Sequence, residues 1–158
     1  MKNTFKIALA LLLSLLLAFS VIACGEGRPS GRDDATEAEE GEEIEPEGLW
    51  KDATYRSNRE FGEGEKTVTV EVVVEDKMIV FTIHTDADTV GEALMEHQLI
   101  DGDPSEYGLY VKKVNGMVAD YDVDKAYWAF YTNGEYGMTG VDSTEIDEDA
   151  VYTLEYAK

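Results

Sequence analysis

The sequence predicts an α+β fold, one helix laid across a mixed or antiparallel sheet, and three local patterns carry that reading. Apolar residues alternate from Val68 onward, one stretch carries a helical stripe behind a capping box, and two Asn-Gly pairs interrupt runs rich in aromatic and β-branched residues. Strands should outnumber helices.

The elements follow in chain order. "TVTVEVVVED" puts Val68, Val70, Val72 and Val74 on one face of a strand, because strand side chains alternate with period two. A tight turn leads to "KMIVFTIHT", with Ile79, Phe81 and Ile83 on one side, so an antiparallel pair is expected. Thr89-Val90-Gly91-Glu92 has capping-box spacing, and Val90, Ala93, Leu94 and His97 share a stripe, which predicts a helix from Thr89 to Gln98. It should end before Asp101-Gly102, with a polar loop continuing through Pro104. "GLYVKKVNGMVADY" then turns at Asn115-Gly116 and "YWAFYTNGEYGMTG" at Asn133-Gly134, since Asn-Gly supplies the positive φ angles of a type I′ turn. The last strand, "AVYTLEYAK", sets Val151, Thr153 and Glu155 against Tyr152, Leu154 and Tyr156.

The ends place this domain in the cell. Lys2 and Lys6 precede a mainly apolar run from Ile7 to Ala23, shorter than the roughly 20 residues a spanning helix needs, which reads as a secretion signal. Its end, Val21-Ile22-Ala23-Cys24, resembles a bacterial lipobox. That resemblance implies that residues 1–23 are removed and that Cys24 carries a diacylglycerol. The bilayer would then be a partner, and the chain would sit lipid-anchored on the outer face of the bacterial cytoplasmic membrane. Residues 24–65 should form the lipidated cysteine and a flexible acidic tether, because "GEGRPSGRDDATEAEEGEEIEPEG" offers too little apolar surface to offset its ordering entropy. Leu49, Trp50, Tyr55 and Phe61 either dock on the domain or stay solvated. The compact unit is expected at residues 66–158.

Composition excludes several functions. Cys24 is the single cysteine, so no disulfide framework or cysteine metal site is available. The net charge of −21 repels nucleic acid and anionic lipid surfaces. No phosphate loop, nucleophile elbow or paired catalytic carboxylates in apolar surroundings occur, so no enzyme is expected. Asp120, Asp122 and Asp124 alternate like the start of a calcium loop, but Lys125 stands where that loop needs glycine and Tyr131 where it needs glutamate, so no metal site is expected. Asp142, Glu145, Asp147, Glu148 and Asp149 read as a solvated turn, and His84 and His97 as structural.

"WAFYTNGEYGMTG" is the candidate binding stretch. By period two, Trp128, Phe130 and Thr132 face one way and Tyr127, Ala129 and Tyr131 the other. One set fills the core; the other, with Tyr136 and Met138, forms either an exposed aromatic patch or ordinary cross-strand pairs. The candidate ligand-binding residues are Trp128, Tyr131, Asn133, Gly134, Tyr136 and Met138, the two turn residues offering backbone donors beside their structural role.

Taken together, "TVTVEV", "DTVGEAL", "GLYVKKVNGM" and "YWAFYTNG" resemble the DUF4430 family of transcobalamin-like C-terminal domains over nearly all of residues 66–158. The resemblance implies a β-grasp-like fold, similar to the smaller domain of the cobalamin carriers transcobalamin and intrinsic factor. In those carriers the small domain covers one face of the corrin and a helical barrel holds the other; these 158 residues contain no counterpart of that barrel. Glu148-Asp149 also replaces the family's frequent Gly-Asp in the final turn. The resulting expectation is a tethered lipoprotein that requires no cofactor and binds a small ligand for uptake. A cobalamin-like corrinoid is the ligand the resemblance implies, with a membrane transporter subunit as a partner. The alternative is a cell-surface protein-interaction module without a small-molecule ligand.

Overall fold

The computed structural model describes residues 36–37 and 42–158. The expected secretion signal at residues 1–23, Cys24, and residues 25–35 and 38–41 of the expected tether lie outside the described residues.

Among the described residues, ten strands form two sheets. In the larger, β3 (Lys66–Val74) and β4 (Lys77–Thr85) pair antiparallel through a two-residue turn in which Glu75 takes φ 58°. The final strand β10 (Val151–Ala157) lies parallel to β3 and antiparallel to β8 (Tyr127–Thr132), whose other edge carries only the two residues of β9 (Glu135–Tyr136). On the far side, β1 (Thr36–Glu37) and β2 (Arg59–Gly62) both run parallel to β4. The smaller sheet has β5 (Ile100–Ser105), β6 (Gly108–Val114) and β7 (Met117–Val118), ordered as in the chain. The mixed sheet arises because β10 returns beside β3 in the same direction.

One face of the large sheet carries the core. Val68, Val70 and Val72 stand opposite Ile83, Phe81 and Ile79, and Tyr152 and Leu154 opposite Val70 and Val72. All eight are at most 1% exposed, in line with the alternation read from the sequence. Helix α1 (Val90–Glu96) covers this face with Val90, Ala93 and Leu94. The Thr89 hydroxyl accepts from the Glu92 amide at 3.2 Å, and the Glu92 carboxylate accepts from the Thr89 amide at 3.3 Å, so both halves of the capping box form. The helix stops at Glu96, short of the expected Gln98, because Gln98 turns to φ 55° and frees the chain to enter β5.

Three segments differ from the sequence reading. The stretch through Pro104 is the strand β5, not a loop: it pairs only with β6 and has a bulge between Asp101 and Gly102. An edge strand tolerates proline because one side needs no N–H donor. Residues 119–124 are not a continuing hairpin strand: the Asp120 carboxylate accepts from the Asp122 amide at 2.9 Å and starts the one-turn helix α2 (Tyr121–Asp124).

The compact unit also begins well before residue 66. A 3-10 turn at Gly48–Asp52 buries Trp50 to 4% exposure, and Ile44 is buried too. Phe61, from β2, meets Tyr55 and Phe81 edge-on at 5.3 and 5.4 Å. Residues 44–62 are thus a strap on the domain, held by the buried Ile44 and Trp50 and the half-buried Tyr55 and Phe61, and the tether reading does not extend over them.

Candidate functional site

Strand register decides where each ring of the candidate stretch goes. Trp128 stands opposite Tyr156 and Phe130 opposite Leu154, so both look toward the face that carries α1. Trp128 meets Tyr156 edge-on at 5.6 Å, and Phe130 stacks on Tyr152 at 6.1 Å. Tyr131 looks the other way, where it meets its cross-strand neighbour Tyr136 edge-on at 5.5 Å. Trp128 and Tyr131 therefore do not share a surface as a joint site would require: three positions along a strand reverse the face.

A groove of about 550 Å³ runs beside β8, between it, the β5–β6 corner and residues 137–141. Trp128, Tyr136 and Met138 line it; Asn133 lines an adjoining recess of about 490 Å³, and Tyr131 and Gly134 line neither. Trp128 is 7% exposed and forms a floor, whereas Tyr107 and Met138, 83% and 96% exposed, stand at the rim. No charged side chain lines the groove. The Trp128 Nε1 donor is buried without an acceptor among the described residues.

Asn133 and Gly134 are occupied by folding. They take φ 51° and 79°, and Asn133 grips the start of β10: its amide donates to the Val151 carbonyl at 2.8 Å and its side-chain oxygen accepts from the Val151 amide at 2.9 Å. The same device recurs at Asn115, with φ 50°, which exchanges bonds of 2.9 and 2.7 Å with the backbone of Tyr55 on the strap.

Sequence reading missed what holds the opposite wall, Gly140, Val141 and Ser143, in place. Asp142 is no solvated acid: its carboxylate accepts from the Leu109 amide at 3.0 Å, and its Oδ1 is buried without a partner. It sits where Gly108 and Gly140 leave room, since a Cβ at either would lie 2.6 or 2.8 Å from Asp142 Oδ1. The signal available was the pair of glycines, but their meeting depends on residues over thirty positions apart. Glu148 is exposed, as the solvated reading expects, and its carboxylate also accepts from the Thr67 amide at 2.9 Å, tying the last turn to β3.

Electrostatics around the floor are set by one bond. The Tyr156 hydroxyl donates to Asp124 at 2.8 Å. Desolvation first, and this bond second, push the Tyr156 pKa up to about 12, while the same bond and the Ala126 amide hold Asp124 below the usual carboxylate range. Burial likewise raises the Tyr152 hydroxyl, which accepts from the Asp147 amide at 2.8 Å. His84 bridges Thr67 and Glu60 at 3.2 and 2.7 Å, and His97 stacks on Phe61 at 5.3 Å; neither approaches the groove. Among the described residues, no group of three or more His, Cys, Asp or Glu side chains could hold a metal ion.

Fold and groove together define a small α+β domain of two sheets with an uncharged aromatic groove at the free edge of the larger one. Residues 87–158 match the family described as "Domain of unknown function (DUF4430)", and the chain belongs to that family. It is similar to a protein of Ruminococcus gnavus ATCC 29149, provisionally named a metal binding protein: 33% identity, TM-score 0.56, covering 60% of this chain and 98% of that one. It also aligns with haptocorrin in complex with Cbi, at 15% identity and TM-score 0.48, over 61% of this chain and 26% of that one. No curated protein matches the chain.

Proposed function

We propose that this chain is an extracytoplasmic lipoprotein, anchored through Cys24, whose single domain binds a small ligand in the groove beside β8. The observation that carries the reading is the groove itself. Its volume of about 550 Å³ falls in the range of small-molecule sites, its lining is aromatic and uncharged, and a buried indole N–H on its floor has no acceptor among the described residues. A ligand with a flat apolar body and a neutral acceptor would supply that missing partner. No catalytic step is needed.

The antiparallel β3–β4 pair, α1 and the return of β10 parallel to β3 support a β-grasp-like reading of the topology. A corrinoid is the ligand to test first, on the strength of the family resemblance, with uptake through a membrane transporter subunit as its context. The name of the R. gnavus protein raises a metal ion as another ligand to test, although no group of three or more His, Cys, Asp or Glu side chains among the described residues could hold one.

Titration of the protein with a panel of corrinoids, followed by tryptophan fluorescence, tests the proposal. Trp50 also fluoresces, so Trp128→Phe serves as the control. Saturable quenching that disappears in Trp128→Phe is the expected result. Absence of any saturable change across the panel up to millimolar ligand would remove the corrinoid version. The second reading, an interaction module, is favoured by a separate observation, the unpaired backbone of β8.

A further inference from the structure

The edge of β8 is unpaired where the groove begins. Thr132 pairs with Glu135 across the two-residue turn, so by ladder alternation Thr132, Phe130 and Trp128 all turn their N–H and C=O groups away from β10. The Asn133 amide, one residue out of phase, bonds back to Val151 of β10, which agrees with that phase. Strand β9 covers only Tyr131 and Thr132, and the chain then leaves the sheet after the Gly137 amide bonds the Phe130 carbonyl at 2.8 Å. Nothing among the described residues meets the Trp128 N–H and C=O or the Phe130 N–H. Edge groups like these are a template for another strand unless a protein covers them, as β1 and β2 cover the outer side of β4 across the sheet.

We propose that β8 is a docking edge on which an extended peptide of basic character adds as a strand along Tyr127–Phe130. The backbone groups left open lie at strand spacing, about 13 Å for four residues, and the groove beside them provides an uncharged channel for the peptide's side chains. Charge selects the occupant. Residues 66–158 carry twenty acids against six lysines and no arginine, and no basic side chain lines the groove. The acidic tether of this chain, and the β8 edge of a second copy, would both arrive with the wrong sign. The inference rests on the backbone edge and needs no small-molecule ligand, but because the peptide's side chains would enter the groove proposed for such a ligand, the two occupants would compete.

The test uses the full chain, isotope-labelled, and three capped hexapeptides: Ac-(Lys-Val)₃-NH₂, the same peptide N-methylated at alternate residues, and Ac-(Glu-Val)₃-NH₂. The expected result is saturable binding of the lysine peptide, with hydrogen exchange at the Trp128 and Phe130 amides slowed at least about tenfold. The N-methylated peptide should bind at least about tenfold more weakly, having lost the donors that meet the edge, and the glutamate peptide similarly, through repulsion. Equal binding of the methylated and unmethylated peptides would reduce the effect to general attraction to an acidic surface and overturn the proposal. So would binding that leaves the two amide exchange rates unchanged, or no saturable binding by the lysine peptide.

Discussion

Asn115 does more than form a turn. Its φ of 50° meets the backbone requirement of the β6–β7 connection, its own amide bonds the Leu99 carbonyl at 2.7 Å, and its carboxamide exchanges two bonds with Tyr55, all at 1% exposure. Asn115→Ala should therefore cost about 3 kcal/mol, from unsatisfied buried groups on Tyr55 plus strain at positive φ. Asn115→Gly should cost less, since it keeps the conformation and loses only the side-chain bonds. Urea unfolding of both variants measures the difference, and equal losses would mean that the turn conformation contributes nothing. Tyr156 gives a second test at this scale. Its pKa of about 12 in the fold lies above the ordinary tyrosine value, so its contribution to stability is complete below about pH 10 and is lost as pH rises toward 12. Ultraviolet titration should find a late tyrosine that moves down in Asp124→Asn. The turn chemistry of Asn115 and Asn133 was legible in sequence; the strap that Asn115 holds was not, because Tyr55 lies 60 positions away and a local pattern carries no information about it.

Elements were most legible where one periodicity served one face. The β3–β4 alternation and the stripe of α1 both correspond to the buried core, and the capping box is formed by the residues that spelled it. Thr89→Ala should cost about 1 kcal/mol in thermal or urea unfolding. β5 was illegible for the opposite reason: as an edge strand with a bulge and a proline, it lacks the alternation of a strand with one buried face. Gly91 couples α1 to the groove wall. A Cβ there would stand 2.8 Å from the Asp142 backbone in the 3-10 turn Val141–Ser143, and Val141 and Ser143 line the groove. Gly91→Ala, which favours the helix locally, should nevertheless destabilise by about 1 to 3 kcal/mol through overpacking. If a groove ligand is in hand, the same substitution should weaken it; unchanged stability would mean that the 3-10 turn yields freely. The candidate site was half legible: period two separated Trp128 from Tyr131, but the wall of Gly140, Val141 and Ser143, backed by the packing of Gly108 on Asp142, appears only once β6 and the last loop meet.

At the scale of the whole molecule, charge and packing pull in opposite directions. The chain carries 34 acids against 13 basic residues, while the ion pairs among the described residues, such as Lys113–Asp101 and Arg56–Glu43, join side chains that are mostly 30% or more exposed. Exposed pairs of this kind contribute about 0 to 1 kcal/mol each, and salt weakens them. Repulsion among the remaining acids acts on the folded state at once, with a reach of about 30 Å at 0.01 M salt that shrinks to about 8 Å at 0.15 M. Screening should therefore relieve more repulsion than it removes attraction. The melting temperature is expected to rise by several degrees between those two salt concentrations, measured by calorimetry at pH 7, and to change little at pH 4, where many carboxylates are neutral. A fall at pH 7 would mean that the few ion pairs outweigh the excess acid. It would also weaken the electrostatic half of the docking argument, because the field that draws a basic strand to β8 is the one that salt should be relieving here.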